Sequence, residues 1–504
     1  MEKIDDYEIL EPFQLHFSDL LLLSSSPSPS PSPSPSLLQF SSSSENERLE
    51  SISRAVMETL GPSGPGLLAI TGVPKASDLR RTLLPLARKL ALLSNEDRRR
   101  ILKDNSLGSD VPLKNPDRSV SSFALQLKYV QDPVLEETLS GSNHKDDCID
   151  IANKEHSDMD SLHDSQDSEF TKLSETFKEL GICMMELGVR LARICDKAIG
   201  SHELEQSILD SCTAKGRLIH YHSVGENLYL KELGRTKRSA KGPVRHCFSP
   251  HVAPEQGEKI PVGSGNTVGE LMSLEAVDPE TCTSRISSCR ASLSNLWQQW
   301  HYDYGIFTVL TVPMFMSPCE SQTIVSADGF HKSSTQECYP PDGHTHLQIF
   351  DPKRNKILLV KPTPESFIVQ VGESADILSK GMLRSTLHSV SRPVEYDNLS
   401  RETFVVFLQP AWDKVFSISG CPTIDVVRGQ ESSTLAGNHN EQILLDSDAT
   451  CIHLSDNESP KLSQEIFRVI PPLYSRLKDG MTFAEFSRET TKQYYGGNGM
   501  QSKR

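Results

Sequence analysis

Apolar positions divide this chain into stretches with a helical step, stretches that alternate, and long tracts with neither. Phe170, Leu173, Phe177, Leu180, Met184, Leu187, Leu191 and Ile194 recur every three or four residues and predict the clearest helix, Phe170 to Ile194. Leu49, Ile52, Val56 and Leu60 predict another over Glu47 to Leu60, broken by the Gly- and Pro-rich run from Gly61 to Gly66. Leu67 to Ile70 is a short apolar run that reads as a buried strand. It ends in the turn Thr71-Gly72-Val73-Pro74. Asp78 then caps a helix from Leu79 to Leu93, and Ser94 caps the next.

The second half of the chain turns to strand patterns. Arg217 to Ser223 alternates. Trp300 to Thr311 reads as one strand that opens with polar residues and runs into β-branched and aromatic ones. His346 to Phe350, Ile357 to Lys361, Ser366 to Val371, Leu383 to Val390 and Phe404 to Leu408 follow as short strands with turn residues between them. That spacing predicts an α+β chain: a double-stranded β-helix core, jelly-roll or cupin-like, with flanking helices and several disordered inserts. Near the end, Thr482 and Glu485 make a capping box ahead of Phe486.

The tracts with neither pattern set the boundaries. Ser24 to Ser36 is a Ser-Pro repeat that favours extended polyproline II, so residues 1–43 read as a disordered tail. An N-terminal helical and strand region covers 44–131. The acidic tract 132–168 is too polar to order itself. The long helix and first barrel strand occupy 169–229, and a Gly-, Pro- and Ser-rich insert covers 230–292. The jelly-roll core spans 293–428, with an insert at 318–341. A further polar insert covers 429–461, and a C-terminal helix 462–495.

Composition narrows the class. The 504 residues carry 52 Lys and Arg against 67 Asp and Glu, a net charge of −15. An acidic chain is a poor binder of nucleic acid or anionic membrane, and neither is expected as a partner. Eleven cysteines without C-x-x-C pairs point to reduced thiols in the cytoplasm. The basic run Arg235 to Arg245 reads as a solvated linker, with a nuclear signal as its alternative. Leu20 to Leu23 is too short for a signal-peptide core. The chain is expected to be a monomer.

The candidate chemistry starts at His301 and Asp303. Two residues apart on a strand, their side chains leave one face. A further imidazole would complete a two-His-one-carboxylate triad, which holds Fe(II) and leaves open positions. His388 is the candidate. Arg401 and Thr403 share a strand face farther on, and a guanidinium fork beside a hydroxyl suits the distal carboxylate of 2-oxoglutarate. His344 and His346 form a competing H-x-H pair, read as strand-entry residues because no carboxylate stands near them in the pattern.

These motifs resemble the plant 2-oxoglutarate- and iron-dependent dioxygenase superfamily. The helix–strand–TGVP–helix order, WHYDYGIFTVLT, and Leu347-Gln348, Val360, Pro362, Pro364, Gly372-Glu373, Ser379-Lys380-Gly381 and His388 follow the family's pattern in order. The resemblance implies His301, Asp303 and His388 as iron ligands. It implies Arg401 with Thr403 as the co-substrate site, Thr403 replacing the family's serine. The family's Asn-Tyr-Tyr-Pro stands here as His220-Tyr221-His222-Ser223, which puts Tyr221 and His222 at co-substrate positions, with His222 in place of the contacting tyrosine. The implied activity is Fe(II)- and 2-oxoglutarate-dependent oxidation of a small organic substrate by O2, releasing succinate and CO2. The alternatives are a catalytically inactive binding scaffold on the same barrel and an oxidase that does without 2-oxoglutarate.

Overall fold

The computed structural model describes residues 7–25, 39–109, 111, 113, 118–129, 168–239, 295–325, 331–393, 395–418 and 461–495. Its strands are β1 (Tyr7–Leu10), β2 (Gln14–His16), β3 (Leu67–Thr71), β4 (Val120–Lys128), β5 (Thr213–Tyr221), β6 (Leu296–His301), β7 (Phe307–Thr311), β8 (Met314–Val325), β9 (His331–Cys338), β10 (Leu347–Asp351), β11 (Lys356–Val360), β12 (Phe367–Val371), β13 (His388–Ser391) and β14 (Ser400–Leu408). The helices are α1 (Phe17–Ser24), α2 (Gln39–Leu60), α3 (Ala76–Leu92), α4 (Asn95–Asp104), α5 (Leu173–Ile199), α6 (Glu203–Ser211), α7 (Val224–Ser239), α8 (Glu373–Leu378), α9 (Lys461–Phe467), α10 (Leu473–Arg476) and α11 (Phe483–Tyr495).

Successive strands cross between two sheets. One runs β1-β11-β10-β13-β6. The other runs β2-β3-β12-β7-β14-β5-β4, with β8 and β9 attached beside β14. Thus β5, β7, β12 and β14 lie in one sheet and β6, β10, β11 and β13 in the other, the winding of a double-stranded β-helix. Strand alternation sorts the side chains. Ile219, Tyr221, Trp297, Phe315, Leu347, Ile349, Leu358, Ile368, Val390 and Val405 meet in one cluster between the sheets. Phe307, Val309, Phe404, Val406 and Leu408 leave the opposite face and pack under α3 and α5. Their helical partners are the periodic positions Phe177, Leu180, Met184, Leu187 and Leu191, all buried. Burying each such side chain contributes roughly 1.5–3 kcal/mol.

Several expectations need correction. Trp300 to Thr311 is not one strand. β6 ends at His301 in one sheet and β7 begins at Phe307 in the other. Trp300 and His301 before the crossing and Phe307 to Val309 after it are all buried, so the run reads as continuous and hides the corner. The tail is structured over residues 7–24. β1 pairs with β11, β2 with β3, and Leu15, Phe17 and Leu20 are buried. The composition of the Ser-Pro repeat obscured that alternation. The insert at 318–341 contains paired backbone: β8 and β9 are antiparallel, Phe315 opposite Cys338. The start of 230–292 belongs to α7. Strand β13 covers only the last part of Leu383 to Val390 and runs on to Ser391. Residues 26–38, 130–167, 240–294 and 419–460 lie outside the described residues. Those four segments hold most of the Ser-Pro repeat and most of the inserts expected at 132–168, 230–292 and 429–461.

Candidate metal centre

Two strands and one corner converge at the mouth of the barrel. His388 opens β13 and stands directly across from His301, the last residue of β6. Their ring centroids are 4.3 Å apart. In both, Nδ1 lies against a backbone carbonyl, Gln299 O at 2.8 Å for His301 and Thr386 O at 2.9 Å for His388. An Nδ1–H donated to a carbonyl leaves the lone pair on Nε2, the arrangement that outer hydrogen bonds impose on ligating histidines. Asp303 supplies the oxygens: Oδ1 is 3.6 Å from His301 Nε2, and Oδ2 is 3.8 Å from His388 Nε2. One donor atom from each of the three lies within 4.8 Å of the others. Two imidazole nitrogens and a carboxylate fit an Fe(II) ion with positions left open. Burial, then the neighbouring His388, pushes His301 down to about 4 against the pull of Asp303, so its imidazole is neutral at pH 7.

Asp303 lies beyond the end of β6, and the backbone around it is clamped. Glu373 N donates to Asp303 O at 2.8 Å, Gly372 N to Ile306 O at 2.9 Å, and Ile306 N to Leu408 O at 2.7 Å. A Cβ on Gly372 would come within 2.3 Å of Gly305 O, so only glycine permits this approach. The side chain is fixed by Thr308, whose hydroxyl donates to Asp303 Oδ2 at 2.7 Å.

Arg401 and Tyr221 are register partners on β14 and β5 and share the inward face. The Arg401 guanidinium lies 5.1 Å over the Tyr221 ring, and its Nε donates to Thr345 O at 3.1 Å. Tyr221 OH donates to Gln298 Oε1 at 3.0 Å, and the Gln298 amide reaches His301 Nε2 at 2.8 Å. A polar chain thus joins the arginine to the triad; a bound cation would take the amide's place on His301. Thr403 is buried, its hydroxyl 3.4 Å from Thr311 O.

His222 is not brought to this group. Tyr221 points inward, so its neighbours on the strand leave the other way. His222 stacks edge-on with His220, and its Nε2 meets Ser121 Oγ at 2.8 Å. The pair His344 and His346 also needs correction, because Asp342 Oδ2 lies 3.7 Å from His346 Nε2. A carboxylate therefore does stand near them.

Gln298, Thr308 and Gln370 escaped the sequence reading. Gln370 faces Thr308 across β12 and β7 and is 1% exposed, with no partner for either amide atom. Glutamine and threonine inside strands carry no chemical signal until the register shows what they face.

Residues 333–410 match the family model described as the 2OG-Fe(II) oxygenase superfamily. No curated protein matches the chain. Among solved structures, a full-length Neurospora crassa protein in complex with alpha-KG is 13% identical. The alignment covers 83% of this chain and 91% of that one, with a TM-score of 0.43. The dioxygenase for auxin oxidation 1 from Arabidopsis thaliana, in its 2-oxoglutarate complex, is 13% identical over 72% of this chain and 89% of that one, at 0.37. A putative 2OG-Fe(II) oxygenase family protein from Caulobacter crescentus is 13% identical over 75% and 88%, also at 0.37. These likenesses are faint in identity and in superposition. The matched segment carries His388 and Arg401, and over that segment the chain is similar to the 2OG-Fe(II) oxygenase superfamily.

Proposed function

We propose that the protein is an Fe(II)- and 2-oxoglutarate-dependent oxygenase of a small organic substrate, consuming O2 and releasing succinate and CO2. The observation that carries this is the convergence of His301, Asp303 and His388, with both Nδ1 atoms held by backbone carbonyls. Those three residues hold the iron. Bound there, iron supplies the activation of O2 that no side chain can. Arg401 grips the distal carboxylate of 2-oxoglutarate, and Tyr221 beneath it fixes the guanidinium. Thr403 is the supporting hydroxyl on the same strand face. Gln298 orients the Tyr221 hydroxyl towards the metal side. The barrel wall of Trp297, Phe315, Ile349 and Val405 excludes water from the reaction.

Anaerobic titration with Fe(II) and 2-oxoglutarate tests the reading. The wild type should bind both, and His301→Ala should lose the iron. A wild type that binds neither is the scaffold alternative. Iron-dependent oxidation without succinate release is the oxidase alternative.

We further place the protein in the cytoplasm as a monomer without nucleic-acid or membrane partners. Its acidity tells against nucleic-acid and anionic-membrane partners, and eleven cysteines without C-x-x-C pairs favour a reducing compartment. Among the described residues, no helix is long and apolar enough to cross a membrane.

A further inference from the structure

Behind the sheet that holds Tyr221 and Arg401 lies another set of converging donors. His220 leaves β5 on the face opposite Tyr221, His222 follows just past the strand end, and Glu226 stands in the first turn of α7. His220 Nε2 is 3.2 Å from His222 Nδ1 and 3.1 Å from Glu226 Oε2, and the third edge, His222 Nδ1 to Glu226 Oε2, is 3.9 Å. Ligand atoms around a tetrahedral zinc at about 2.0–2.1 Å lie about 3.3 Å apart. Two of the three edges already lie near that spacing, and the third is longer.

The outer contacts are those of a ligand set. His220 Nδ1 meets Glu402 Oε1 at 2.9 Å, a carboxylate–histidine pair that directs the Nε2 lone pair at the centre of the triangle. His222 Nε2 meets Ser121 Oγ at 2.8 Å, and Arg118 Nε holds that hydroxyl at 2.9 Å, so Nδ1 is free to point the same way. Arg88 Nε takes Glu226 Oε1 at 2.6 Å; Oε2 accepts from Ser223 N at 3.0 Å, capping α7, and keeps a second lone pair for the centre. Glu402 is fully buried, and its Oε2 has no partner. That carboxylate needs a positive charge beside it, supplied by a cation in the triangle or, without one, by a proton on His220. The site also has an approach. A cavity of about 280 Å³, lined by Arg88, Ser223, Glu226, Tyr229 and Asn398, reaches Glu226 from the surface.

We propose that His220, His222 and Glu226 bind a divalent cation of the zinc type, with Glu402 and Ser121 orienting the two imidazoles and a water from the cavity as fourth ligand. The site is independent of the barrel chemistry. It ties the end of β5 to α7 and, through Glu402, to β14.

The test is metal stoichiometry in the full chain, stripped of metal and then dialysed against Zn(II), with Co(II) as the spectroscopic probe. Wild type should take up two equivalents, and Co(II) should show the intense visible absorption of a four-coordinate site. His301→Ala should keep one equivalent with that absorption. Glu226→Gln, which preserves size and can still cap α7, should lose it while still binding Fe(II) and 2-oxoglutarate. One equivalent in wild type that is lost in His301→Ala would overturn the proposal and leave the cluster as an ion-pair network. One equivalent that survives His301→Ala and is lost in Glu226→Gln would support it and tell against the barrel triad instead. Should Glu226→Gln fail to fold, the wild-type and His301→Ala counts still decide.

Discussion

His301 and His388 are cross-strand partners, one closing β6 and the other opening β13, with ring centroids 4.3 Å apart. Antiparallel pairing alone brings together two residues far apart in the chain. The third donor, Asp303, is outside that pairing and depends on its own supports. Thr308 is the side-chain support, donating to Oδ2 at 2.7 Å. Thr308→Val keeps the shape and removes the donor. Iron affinity should fall roughly 10- to 100-fold, the usual cost of losing an outer-shell partner. Isothermal titration of Fe(II) under anaerobic conditions measures it. Unchanged affinity would mean that the carboxylate is oriented by something else.

Arg401 should act on the co-substrate and not on the metal. Arg401→Ala removes a charge-assisted contact worth roughly 1.5–3 kcal/mol, so the KM for 2-oxoglutarate should rise by roughly one to two orders of magnitude. Iron binding should be retained. Arg401→Lys should recover little, because an ammonium cannot reproduce the planar fork lying over Tyr221. Lost iron with an unchanged KM would reverse the assignment of roles.

The two halves of the site differ in how legible they are in the sequence. His388 and Arg401 lie on strands that the pattern indicates only in part: β13 keeps the end of Leu383 to Val390, and β14 extends Phe404 to Leu408 back to Ser400. For His301 and Asp303, alternation predicts neighbours on one strand. They converge instead because the chain turns a corner at Gly305, where the backbone passes against Leu408 O and Gly372. Tyr221 and His222 show the limit most plainly. Both stand in the same motif, yet strand alternation sends the first to Arg401 and the second into the cluster behind the sheet. Which face is inward depends on the register with β14, and that is a tertiary fact. The structured N-terminal residues are hidden for a related reason. Strands of three and four residues take their order from pairing with β3 and β11, not from their own propensity.

The C-terminal helices bear on the same corner. Arg476 is 1% exposed and forms a bidentate pair with Glu373, Nη1 to Oε2 at 2.7 Å and Nη2 to Oε1 at 2.6 Å. Burial alone would lower the Arg476 pKa; the Glu373 carboxylate more than reverses this and raises it. Glu373 N in turn holds Asp303 O. Arg476→Met would leave a buried carboxylate without its partner, at a cost of about 3–5 kcal/mol. The double variant Arg476→Met, Glu373→Leu should recover much of that loss, because both charges are then gone. Urea midpoints of the three proteins check this. A single variant as stable as wild type would show that the pair is solvated.

Acid should weaken the fold through His346. Burial, then His344 and Arg401, pushes its imidazole down to about 3. In the unfolded chain it titrates near 6.5. Above that pH both states are neutral there and no stability is lost. As the pH falls below 6.5 the unfolded chain gains a proton that the native one refuses, so stability declines until the pH reaches about 3. The slope is at most about 1.4 kcal/mol per pH unit, or about 2 kcal/mol between pH 6.5 and pH 5. His346 also adopts a φ of +58°, which asparagine tolerates better than most residues. His346→Asn should therefore be at least as stable as wild type at pH 7.5 and should lose less on acidification. Urea unfolding of both proteins at pH 7.5 and pH 5 measures the difference, and parallel losses in the two would mean that His346 is already protonated in the folded chain.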